Sequence, residues 1–343
     1  MNLCVTYYSH NGITDVNLDT LTRVRATDLT PAESTVHVVK SGDYAYLGKD
    51  WSWPTPSQII KVHLPSFTEV DRLDFPEIGS LGGGGWNMAL AITGNILYAA
   101  YDQPDGGLGP NGGIVRIDLD TFTRIDRLDL PVRDPKIITD GTNIYVSYWI
   151  PTRIDRVPVA TFAIDATINM VNAGSQIMLI EGNKLYIGHG NMAPDQLTRI
   201  DLPTFAEDAS IPLAAGEGWI YGMASDGTYL YLGLGTAPGN PGIIVRVDLA
   251  TFARVDALTL PITLPWASAE RDPWSLFVYN NYLWVLCESF PTNIVQIDIP
   301  TFTRVTALQL GPVEGDSWSG ALWEPTPAPY RVNRSFALSR EEL

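Results

Sequence analysis

Four aspartates recur in register, Asp118, Asp201, Asp248 and Asp298, each followed three residues later by Thr121, Thr204, Thr251 or Thr301. Carboxylates at matched positions are candidates for general acid–base work. Asp and Thr at this spacing also bond to the backbone of a turn, which is a purely structural use. Asn17, His63 and Pro158 occupy the same column, and Pro cannot exchange a proton, so a structural turn is expected. The four histidines, His10, His37, His63 and His189, show no His-x-His or His-Glu-x-x-His spacing, and no metal site is expected. A Gly-x-Ser-x-Gly elbow, a phosphate-binding Gly-x-x-x-x-Gly-Lys-Ser/Thr and an Asp-x-Asp-x-Asp-Gly calcium loop are all missing from the sequence. Leu81-Gly82-Gly83-Gly84-Gly85-Trp86 precedes a strand, not the helix N-terminus that would hold phosphate. Neither a catalytic set nor a cofactor is expected.

Aromatic and acidic residues are more suggestive. Trp51, Trp53, Trp149 and Trp266 lie in long irregular segments, and Trp86, Trp219 and Trp274 open apolar strands, with Asp102, Glu270 and Asp272 among the neighbouring acids. An indole covers the apolar face of a sugar ring while carboxylates accept from its hydroxyls. The strand-opening Trp can equally plug a channel and pack the ends of strands. These ten residues are the expected ligand or partner face.

The elements that must position them are repeats. Val115-Arg116-Ile117-Asp118-Leu119-Asp120-Thr121-Phe122-Thr123-Arg124 returns at Val245 to Arg254 and at Val295 to Arg304. The aromatic or Leu after Thr or Ser marks seven copies: Leu21, Phe67, Phe122, Phe162, Phe205, Phe252 and Phe302, about 47 residues apart. An aromatic-rich strand precedes most markers, as in Tyr44 to Gly48, Leu185 to Gly188 and Leu230 to Gly233; Leu3 to Thr6 is the seventh member. Each copy reads as four strands, A to D from an axis outward. In the sixth, A covers Trp219 to Ser225, B starts at Tyr229, C covers Ile243 to Leu249 and D covers Ala253 to Leu260. Asp-Gly, Gly-Asn and Asn-Asn between A and B accept the positive φ of hairpin turns. Alternation in C and D puts Val, Ile and Leu on one face and Arg, Asp and Thr on the other. Seven such units predict an all-β, seven-bladed β-propeller of four-stranded antiparallel blades.

The strand, Ile-Asp, Thr, strand order of the copies resembles the YVTN/YncE-like propeller repeat family over about residues 2 to 323. The resemblance implies the fold; the family's shared residues are structural. Some propellers of similar repeats are lactonases, which leaves a lactonase-like site over the axis as an alternative, but no converging His or Arg groups can be assembled for one.

Composition narrows the partners. Lys+Arg number 22 against 38 Asp+Glu, a formal charge of −16, so nucleic acid and anionic lipid are repelled. No apolar run approaches the roughly 20 residues of a spanning helix, and no membrane insertion is expected. The first residues read as a strand, with no basic and apolar signal-peptide pattern. Cys4 and Cys287, both in apolar runs, are expected to be buried free thiols.

The chain starts at a B strand, so blade 1 lacks an A strand, and Asp316 to Trp323 resembles the A strand around Asp272 to Phe277. The C-terminal strand is therefore expected to close the first blade. Residues 1–323 are the expected propeller and 324–343 a Pro-rich, locally basic tail, whose Tyr330, Arg331, Arg334 and Phe336 are candidates for docking. The expected function is a non-enzymatic structural or adhesion subunit of a larger assembly, such as a virion or surface filament, holding a protein partner or a second copy through its tail. A carbohydrate-binding module is the alternative.

Overall fold

The computed structural model describes residues 1–7, 12–29, 35–49, 57–75, 88–102, 112–131, 135–148, 152–170, 175–189, 195–235, 241–262, 270–289, 291–311, 314, 317 and 319–325. Among them the regular elements are strands, arranged as seven four-stranded antiparallel sheets. The inner strands touch in one closed circle, blade 7 meeting blade 1 as blade 1 meets blade 2. Blade 1 takes Ser319–Trp323 as its A strand, paired antiparallel with Asn2–Thr6 from Asn2 opposite Trp323 to Thr6 opposite Ser319. The expected closure is present.

The core lies between blades and is built from one repeated slot. A tyrosine on strand B of one blade meets the marker Phe of the next, with ring centroids 5.9–6.1 Å apart for Tyr46–Phe122, Tyr98–Phe162, Tyr145–Phe205, Tyr186–Phe252 and Tyr231–Phe302. A strand C cation from the tyrosine's own blade covers the same ring, as Arg116 covers Phe162 at 4.3 Å and Arg246 covers Phe302 at 4.6 Å. All seven markers, Leu21 included, have φ between +47° and +56°. Non-glycine residues rarely adopt that left-handed conformation. Burial of the ring against the neighbouring blade is what holds it there.

Strand D departs from simple alternation. In blades 1, 2, 3, 5, 6 and 7 a bulge shifts the C–D register by one residue. The skipped residue, Val24, Val70, Ile125, Val255 or Val305, is then 47–51% exposed, whereas alternation had placed it with the inward set. In blade 5 the skipped residue is Asp208, paired with Arg199 and Lys184. A bulge kinks and twists an edge strand, which discourages edge-to-edge pairing.

Close approach of adjacent blades explains the glycine that ends the strand B phrase. A Cβ on Gly233 would lie 2.4 Å from the Pro273 carbonyl oxygen of the next blade, whereas on Gly188 it would meet the movable side chains of Ile177 and Ile220 at 2.6–2.9 Å. Gly233→Ala is expected to cost about 1–3 kcal/mol, and Gly188→Ala less, as read by urea denaturation. Equal costs would show that backbone contact is not the constraint.

Candidate functional site

The recurrent carboxylates are taken up by the fold. Thr121, Thr204, Thr251 and Thr301 each donate both backbone N–H and hydroxyl to Asp118, Asp201, Asp248 and Asp298. Those bonds hold the carboxyls below the usual carboxylate range, led by the Thr121 and Thr251 amides for Asp118 and Asp248 and by the Thr hydroxyls for Asp201, at about 2, and Asp298. Asn17 and His63 serve the same turn through Thr20 and Ser66.

Glu270, expected on the loop face, is instead turned inward. Its side chain is 5% exposed and paired with Arg304 of the next blade. Glu217 with Arg254 and Glu314 with Arg23 repeat the arrangement at the two flanking junctions. In each case the acid follows strand D of one blade and the arginine opens strand D of the next, so three successive junctions carry an ionic clasp. The Thr-Phe-x-Arg spacing exposed the arginines in the sequence; their partners, 34 to 37 residues away or across the ring closure, carried no local signal.

His37 and His189 are buried. The Leu90 backbone N–H donates to His37 Nδ1 at 3.1 Å, and His189 Nε2 lies 2.9 Å from the Thr198 hydroxyl. Cys4 and Cys287 are buried free thiols, pushed up by burial. Among the described residues no group of three His, Cys, Asp or Glu is placed to hold a metal ion.

Among the described residues one cluster remains on the loop side. Trp219 precedes the inner strand Ile220–Ser225 of blade 6, and Trp274 is the second residue of the inner strand Pro273–Tyr279 of blade 7. Tyr221 and Trp274 are bulged out of their A–B pairings at equivalent positions. They stack on each other, centroids 4.3 Å apart and planes 13° from parallel. Trp219 meets Tyr221 edge-on at 6.0 Å and is itself 43% exposed. Three rings therefore form a ladder across two blades, its free end an indole. Neither Tyr221 nor the bulge was singled out from the sequence; only the Trp spacing pointed here.

Carboxylates surround this ladder. The Trp274 indole N–H donates to Glu288. Burial, with Asp272, Glu288 and Asp195 nearby, pushes the Tyr221 phenol up. Burial also raises the Asp272 carboxyl, against the opposing charge of Arg271, whose Nε donates to the Glu288 carbonyl at 3.2 Å. Ring faces beside carboxylates suit a guanidinium or ammonium group or the two sides of a sugar ring. Asp272 and Trp274 are thus brought together with Trp219. Strand B of blade 3 ends at Asp102, whose side chain lies outside the described residues, as do Trp51, Trp53, Trp86, Trp149, Trp266, Tyr330, Arg331, Arg334 and Phe336.

No family model matches the chain, and no curated protein sequence does. Solved structures do. The fold is similar to hydrazine synthase of Kuenenia stuttgartiensis, with a TM-score of 0.65 and 13% identity over 81% of this chain and 88% of that one. It is also similar to the dihydro-heme d1 dehydrogenase NirN, solved in complex with DHE, with a TM-score of 0.61 and 13% identity over 93% and 74%. A chain of the nidogen/laminin complex gives a TM-score of 0.54 and 10% identity over 93% and 97%. At these identities the likeness is one of fold.

Proposed function

We propose that this propeller, of the YVTN/YncE-like repeat type, is a non-enzymatic interaction subunit of a larger assembly, meeting its partners through its loop side and its C-terminal tail. The observation that carries this reading is the Trp219–Tyr221–Trp274 ladder. It sets an exposed indole among carboxylates on the loop side, while the recurrent acids and the two buried histidines are engaged in turns and blade contacts. Exposed aromatic residues are what interaction surfaces concentrate.

Solution mass tests it. By light scattering, the full chain is expected to assemble as its concentration rises, and a chain ending at Pro325 to remain a monomer. Monomers in both cases would overturn assembly through the tail. A glycan ligand is the second reading, favoured by the open ring face of Trp219; retention on a glycan array that is lost in Trp219→Ala would establish it.

A further inference from the structure

The ladder and the exit of the chain lie on opposite sides of the ring. Inner strands run side by side around the circle, and the closing strand Ser319–Trp323 pairs with Asn2–Thr6 as every other A strand pairs with its B strand. Trp219 and Trp274 stand at the beginnings of such strands, on the loop side. Trp323 ends one, so the chain leaves at Pro325 on the side of the short turns.

Beyond Pro325, the next charged residues in the sequence are Arg331 and Arg334, flanked by Tyr330 and Phe336, on a chain whose net charge is −16. Among the described residues, Asp195, Asp272 and Glu288 stand around the ladder, with Arg271 beside Asp272. Guanidinium groups gain from an indole face and from a carboxylate together, so charge and ring chemistry of segment and ladder are complementary.

Distance closes the outer route to the copy's own ladder. Arg331 and Arg334 lie six and nine residues past Pro325, at most about 20 and 30 Å of extended chain. Passing outside its own blade means crossing three strand spacings of about 5 Å outward, climbing a strand of about 20 Å and returning, roughly 50 Å. Neither arginine spans that path.

Resting on the interaction role proposed above, we infer that the Arg331–Arg334 segment of one copy docks on the Trp219–Tyr221–Trp274 ladder of a second copy, with a guanidinium over the Trp219 indole beside Asp272. The exit of the chain at Pro325 and the ladder lie on opposite sides of each copy. The contact is therefore heterologous and propagates head to tail, into a ring if the rotation closes and a filament if it does not.

Three full-length proteins test the contact by light scattering: the parent, Trp219→Ala, and Arg331→Glu/Arg334→Glu. Trp219 is half-exposed, so its replacement should leave the urea midpoint unchanged. The parent should assemble, more weakly at high salt, and each variant alone should associate at least tenfold more weakly. Mixed together, the two variants retain one intact tail and one intact ladder, and should give a one-to-one complex that grows no further. Variants that assemble like the parent would overturn this contact while leaving assembly standing. A parent that stays monomeric at about 100 µM would overturn both. If Asp272→Arg weakens association as well and combining it with the Glu tail restores it, the carboxylate is placed in the contact; no weakening would remove it.

Discussion

Trp323→Ala should destabilise the protein by about 3–5 kcal/mol, the cost of truncating a buried aromatic, although the residue ends the last described strand. Trp323 is 3% exposed, and its indole N–H donates to Asp15 Oδ1 at 3.0 Å. Asp15 is fully buried and also accepts from Asn2 Nδ2 and Arg25 Nε, each at 3.0 Å. The Arg25 guanidinium in turn covers Phe67 of blade 2 at 4.7 Å and Trp323 at 5.7 Å. Blade 1 thus carries the inter-blade slot with its charges exchanged. Asp15 stands on strand C opposite Arg25 on strand D, where blades 3 and 6 place Arg116 opposite Asp126 and Arg246 opposite Asp256. The exchange gives the closing Trp an acceptor for its indole N–H while Arg25 keeps a cation over the rings. Trp323→Phe should cost less, about 1 kcal/mol, because Arg25 and Asn2 still satisfy Asp15. Urea denaturation should show one transition for each variant, since every inner strand packs on two neighbours and an open junction weakens the whole circle. A loss under 1 kcal/mol for the alanine variant would mean that the closing strand is dispensable.

The number of blades, the turn role of the Asp–Thr pairs and the closure by the C-terminal strand were legible because each is a local pattern recurring along the chain or matched end to end. What was illegible depends on contacts between copies. The aromatic or Leu after Thr or Ser marked every repeat, yet nothing in the phrase says that Phe252 or Phe302 adopts a left-handed backbone, which the residue disfavours by itself. Only the Tyr and Arg of the preceding blade supply the reason. Val255 and Val305 fit an inward face by alternation, but a bulge beside each moves it outward. Glu270 looked like a rim acid from its place in a long loop and is instead the buried partner of Arg304. Of the expected face, Trp219, Asp272 and Trp274 come together because two adjacent A strands share one bulge; the spacing of the Trp residues could not show that Tyr221 joins them.

Acid should unfold this protein in two stages, the first set by two histidines. His37 is buried near Lys136, and burial foremost pushes its imidazole down to about 3; burial alone takes His189 to about 4. The unfolded value is near 6.5. Both folded values are depressed, so between pH 6.5 and 4 the unfolded chain binds protons that the folded chain refuses. Stability therefore falls as pH drops through this window. For His189 alone the loss by pH 4 is on the order of 3 kcal/mol. The geometry agrees, since His37 Nδ1 must stay unprotonated to accept from Leu90 N–H. A second stage follows below about pH 4, where Asp201, held near 2 chiefly by the Thr204 hydroxyl and then by Lys184, and Glu314 take up protons. Burial opposes ionisation of Glu314, but Thr14, Arg23 and the Gly311 N–H outweigh it. Their stabilisation is present above the unfolded carboxylate range and lost as pH falls through the folded values. Urea midpoints measured at unit steps from pH 7 down to about pH 3 separate the stages. His189→Gln and His37→Asn keep an acceptor without a titrating ring, so each should flatten the slope between pH 6.5 and 4 and leave the later one in place. A double variant with the parent's slope above pH 4 would remove the histidines from the first stage and hand the whole transition to the carboxylates.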